Sequence, residues 1–181
     1  MRIFVFLVAL FYAGGAFANS LPEPDYASLK IGATFVYERT DGTRYQSKLL
    51  SAGPDGYVFE NRNNEDGSGS FISKSTFNQD GKRTIWQGPE ETWVFKPHGC
   101  NRVLGDCTYK SQRSSGGKSY RNTVSAKMTD GRVTWKRYYE GQVVGSGWFE
   151  LDPVTHWMSS YKWSNSRGGG ETAKLLRIDQ P

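Results

Sequence analysis

The chain has 181 residues, 36% of them hydrophobic, 14% aromatic and 23% charged, with a formal net charge of +5. That length supports one domain with a real core rather than several. Two cysteines with the neighbouring His98 are one ligand short of a zinc set, and beyond the N-terminus no segment is long and apolar enough to cross a bilayer as a helix.

The N-terminus reads MRIFVFLVALFYAGGAFANS. Arg2 is followed by an apolar run from Ile3 to Tyr12, too short for a bilayer span of about 20 residues. Ala16-Phe17-Ala18 supplies the small-residue cleavage pattern. Residues 1–18 are therefore expected to be a signal peptide cleaved after Ala18, leaving 19–181 as a single β domain. Asn19 rather than a cysteine directly follows the cleavage site, which argues against a lipoprotein anchor, and no N-x-[ST] acceptor occurs, so the reading is a periplasmic or secreted bacterial protein. That compartment is oxidising.

Asp25 to Lys30 reads as a short helical turn, capped by Asp25 and stopped by Gly32. After it, no stretch of ten residues keeps helical periodicity. Asp-Gly recurs at 41–42, 55–56, 66–67, 80–81 and 130–131 between alternating apolar runs. Asp and Gly both tolerate the positive φ of a tight hairpin turn. The expected fold is all-β, an antiparallel meander of about ten strands forming a barrel or a strongly curved sheet. The hairpin at Asp41-Gly42 does not sort in a two-residue register, because Phe35 would face Lys48. A bulge or longer loop is expected there.

The halves share an order of landmarks. YERTDGTRY, PDGYVFE, DGSGSF and NQDGKRTIW are followed by YKSQRSSGGKSY, TDGRVTW, EGQVVGSGWF and DPVTHW. Residues 31–96 and 105–178 are expected to be diverged repeats joined by FKPHGCNRVLGDCTYK. That linker holds Cys100 and Cys107, whose spacing is not the C-x-x-C of a redox pair. Zinc would need Asp106 or His156 in addition to His98. A disulfide is expected instead, closing a small loop that displays His98 and Arg102. No metal and no cofactor is expected.

The hairpin around Asp130-Gly131 can be put in register. A two-residue turn sets Met128 opposite Val133 and Ala126 opposite Trp135. On the other face Lys127 meets Thr134, Ser125 meets Lys136, Thr123 meets Tyr138 and Arg121 meets Glu140. Val124 opposite Arg137 breaks the apolar face, and Arg137 is expected to snorkel to the rim. Charge is uneven: residues 19–91 carry 8 basic and 11 acidic side chains, residues 92–181 carry 14 and 7. Arg121, Lys127, Lys136 and Tyr138 would form a basic surface with an interleaved aromatic, suited to a polyanion.

Asp152-Pro-Val-Thr-His156-Trp reads as a turn stabilised by Asp152 that enters a strand. Trp157, Ser159, Tyr161 and Trp163 then share one strand face. That stripe is either core or a stacking platform for sugar rings. Gly168-Gly-Gly170 reads as a hairpin loop before a last strand.

No G-x-S-x-G elbow occurs and nothing selects a carboxylate pair. The functional expectation is an exported, non-enzymatic binding protein of the cell envelope, with an anionic glycan or lipid as ligand. Its binding residues would be Arg121, Lys127, Lys136, Tyr138, Trp157, Tyr161 and Trp163. Nucleic acid is not expected as a partner. Two alternatives stand beside this: a secreted protein–protein interaction or inhibitor module, and a carbohydrate-active enzyme with dispersed carboxylates.

Overall fold

A computed structural model describes residues 20–181; the expected signal peptide and its cleavage after Ala18 lie outside them. A 3-10 turn, Tyr26–Ser28, comes first, with Asp25 accepting a hydrogen bond from the Ser28 amide as the cap. Twelve strands follow: β1 (Thr34–Arg39), β2 (Arg44–Gly53), β3 (Gly56–Asn63), β4 (Phe71–Phe77), β5 (Arg83–Gln87), β6 (Thr92–Lys96), β7 (Gly105–Arg113), β8 (Tyr120–Thr129), β9 (Arg132–Tyr139), β10 (Gln142–Leu151), β11 (Met158–Asn165) and β12 (Gly170–Asp179). Each pairs antiparallel with the next, and β12 pairs back onto β1, so the expected meander is a closed barrel.

Four of the five Asp-Gly pairs lie between consecutive strands, and the fifth, Asp55-Gly56, turns β2 into β3 with Gly56 as the first residue of β3. At the β8–β9 turn Asp130 and Gly131 have φ of 51° and 78°, the left-handed pair that a two-residue hairpin turn requires. The β8–β9 register runs as expected from Thr129↔Arg132 to Thr123↔Tyr138. It stops at Asn122↔Tyr139, because Glu140 and Gly141 turn the chain into β10. Arg121 therefore does not face Glu140; its cross-strand neighbour is Lys110 on β7. In the first hairpin Phe35 faces Ser47, and the turn is widened by a bond from the Arg39 amide to the Thr43 carbonyl. Six of the twelve pairings carry a register shift, and such bulges bend strands enough to close a barrel.

Directly opposed residues share a face of the wall. The inward row therefore passes from Phe59 to Ser75, Trp86, Trp93 and Arg113 across five strands. Outward positions carry Lys48, Glu60, Lys74, Lys110, Lys136 and Lys162. Lipid-facing barrels instead carry an apolar outer band.

Twelve strands enclose more width than small side chains can fill, and rings occupy it. Phe35, Tyr37, Tyr45, Leu49 and Phe59 form one buried cluster, joined by Trp157 and Tyr161. Leu21, Ala126 and Val133 form a second, with Trp135 and Phe149 against it.

The two ends differ. At the end where β1 starts, the N-terminal segment lies across the opening: Leu21 is 4% exposed, and Tyr26 stacks on Tyr57 with centroids 3.7 Å apart. The linker 97–104 completes that closure. Cys100 and Cys107 form a disulfide. Asn101 accepts from the Arg83 amide and donates to the Gly81 carbonyl, while the Arg102 carbonyl accepts from the Leu21 amide.

At the other end inward side chains emerge into solvent. Along β12 exposure rises from Ala173, at 3%, to Glu171, whose side chain is 24% exposed. On β9 Val133 is buried and Tyr139 half-buried. Inward Trp163 is 38% exposed. The barrel is a cup, plugged below and open above.

Candidate functional site

The sequence-derived binding residues fall on opposite sides of the wall. Arg121, Lys127, Lys136 and Tyr138 occupy outward positions of β8 and β9. Tyr161 and Trp163 face inward on β11, and Trp157 lies in the core just before that strand. They do not form one site. The stripe is core at Trp157 and Tyr161 and rim at Trp163.

On the outer wall, Arg121 and Tyr138 line an open groove of about 780 Å³ with Lys118, Thr123, Ser125 and Tyr139; Asp106 and Glu140 also border it. Lys127 and Lys136 continue the same face below the groove without lining it. Lys118 is held above the ordinary lysine value, first by a hydrogen bond with Tyr139.

The residues that sequence reasoning missed are Lys96 and Lys110. Lys96 is directly opposite Lys110, and Lys110 directly opposite Arg121, so three strands present three like charges in a row. None of the three makes an ion pair among the described residues. On β2, β3 and β4 an outer row of the same kind alternates in sign, Lys48 opposite Glu60 and Glu60 opposite Lys74. The signal was the pairing of β6 with β7 through the disulfide linker, which no turn motif announces.

Inside the mouth, β1, β2, β11 and β12 bring four polar groups together. Arg39 Nε donates to Glu171 Oε2 at 2.6 Å, and its guanidinium lies 4.8 Å from the Tyr45 ring centroid. Tyr161 donates to the other Glu171 oxygen, and its hydroxyl is 2.8 Å from that of Tyr45. Burial is the first cause raising the Tyr37, Tyr45 and Tyr161 phenols above the ordinary value. Glu171 is the one inward carboxylate of the described strands, and both its oxygens are already taken.

The remaining sequence candidates are structural. His98 Nδ1 contacts its neighbour's carbonyl at Gly99, and the Arg102 guanidinium turns back to the Pro22 carbonyl rather than out. Asp152 Oδ1 accepts from the Val154 and Thr155 amides in the turn before β11. His156, at φ 56°, places Nδ1 3.0 Å from the Glu23 carbonyl. Among the described residues no three His, Cys, Asp or Glu side chains gather as a metal set. No family model, curated protein or solved structure matches the chain.

Proposed function

We propose that the chain is an exported, non-enzymatic binding protein whose outer basic wall takes a linear acidic glycan of the cell envelope. The observation that carries this reading is the like-charge row Lys96, Lys110, Arg121. Like charges directly opposite one another destabilise a sheet. This row keeps three of them without a carboxylate, while the row on β2, β3 and β4 alternates in sign. Strands are about 4.8 Å apart, so the row offers closely spaced cations to a polymer carrying an acid on each sugar. Tyr138 and the groove supply a ring and a concave bed beside it. The disulfide and the leader-like N-terminus support export.

Lys110→Glu tests the reading. A carboxylate between Lys96 and Arg121 turns two repulsive pairs into attractive ones, raising stability by about 0.5–1 kcal/mol. The same change weakens binding of polygalacturonate by about tenfold at low salt, and 0.1 M salt weakens the wild type because screening reaches about 10 Å there. Calorimetric titration and thermal melts read both effects. Unchanged glycan affinity in Lys110→Glu sinks the proposal. Binding to anionic vesicles but not to the glycan transfers the wall to lipid headgroups.

A further inference from the structure

Inside the mouth, one arginine has no partner. Arg137 faces inward on β9, directly opposite Val124 on β8 and Gly145 on β10. Its guanidinium lies along the bare backbone of β10. A Cβ at Gly145 would stand 3.5 Å from one terminal nitrogen and 3.6 Å from Nε. That Nε is sealed from solvent and has no hydrogen-bond partner. Among the described residues Arg137 makes no ion pair either.

Other arginines show what structural use looks like here. Arg39, also inward, donates to Glu171 and to the Asn63 side-chain Oδ1. Arg113, at the rim, pairs with Glu91 and lies over Trp93. Two further arginines have a sealed, unbonded Nε, but both are at the plugged end: Arg83 covers the Phe77 ring, and Arg102 donates to Pro22. Among the described residues only Arg137 combines a sealed, unbonded Nε with an inward position at the open end of the cup. Leaving such a group without a partner is costly wherever water is excluded.

The rows around it are aromatic. One row toward the plug, Trp135, Gly147 and Trp163 stand side by side, and a Cβ at Gly147 would come within 2.9 Å of the Trp135 ring. One row toward the mouth is Tyr139, its ring centroid 5.6 Å from that of Tyr120. Glycines on β10 thus leave the wall bare where the ring and the guanidinium lie flat.

We propose that Arg137 anchors a second ligand site inside the mouth, taking a small organic anion with a flat ring body. The acid group pairs with the guanidinium, and the ring lies against Trp163 and Tyr139. This site is on the opposite side of the wall from the glycan row and does not rest on that reading.

Two dyes of the same ring skeleton test it on the intact mature chain: anilinonaphthalene sulfonate, which is anionic, and phenylnaphthylamine, which is neutral. The sulfonate is expected to saturate a single site, quench tryptophan fluorescence and bind about tenfold or more tightly than the neutral dye. Arg137→Gln removes that advantage, whereas Lys110→Glu leaves it intact while losing the glycan. Competition by benzoate but not by glucuronate is then expected, and competition by glucuronate alone overturns the flat ring body. Equal affinity for the two dyes in the wild type overturns the proposal without any variant. So does undiminished sulfonate binding in a folded Arg137→Gln protein.

Discussion

At the scale of single residues, the mouth is organised by hydroxyl groups that ionise only at a cost. Burial raises the phenols of Tyr37, Tyr45 and Tyr161, and pushes Tyr26, packed on Tyr57, up to about 12. A raised folded-state value stabilises the protein fully below the free phenol range, near pH 10, and that stability is lost as the pH rises through the folded value. Spectroscopic titration of phenolate in the native protein is expected to leave these four silent until the barrel unfolds, and unfolding should begin above about pH 10. Titration of all tyrosines ahead of unfolding would contradict their burial. Strand alternation alone placed Tyr161 and Trp163 on one face, but rings suit a core and a stacking platform equally, so their side of the wall was not legible. Arg137 was legible as a misfit, since a two-residue turn at Asp130-Gly131 already sets it against Val124. Its lack of a partner depends on the register of β9 with β10, which sets bare Gly145 opposite it.

At the scale of elements, local turn chemistry carried most of the architecture. Asp-Gly pairs marked five connections, and one of them fixed an entire register, because a two-residue turn leaves a single way to pair the strands. The short strands β5 and β6, five residues each and joined without Asp-Gly, account for part of the difference between about ten and twelve. The like-charge row was hidden for the same reason: Lys96 and Lys110 meet only after an irregular linker reverses the chain. That linker is stapled by Cys100 and Cys107 and bonded to the β4–β5 loop. A loop this small lowers unfolded-state entropy by about 2.5 kcal/mol. Mild reduction is therefore expected to lower Tm by roughly 5–10 °C, while glycan and dye binding persist in the still-folded protein. An unchanged melt on complete reduction would show the staple to be energetically idle.

At the scale of the whole molecule, six strands precede the linker and six follow it, a division that a duplicated six-strand unit would produce. The cup shape comes from the segment before β1, which plugs one end and leaves the other open. Leu21 is the apolar tip of that plug, packed with Ala126 and Val133. Leu21→Ala should cost about 2–4 kcal/mol, read by denaturant melts. A cost below about 0.5 kcal/mol, the size of a surface change, would mean the plug is not part of the core. The pairing of β1 with β12 has one more consequence. Since the last strand to be made is the partner of the first, every intermediate length of chain carries two bare edges, one on β1 and one on its newest strand. Each edge is a row of unmatched amides and carbonyls that another copy could pair with. The finished wall has no such seam, so the hazard belongs to the period of synthesis and folding, and it ends only when Gly170–Asp179 docks.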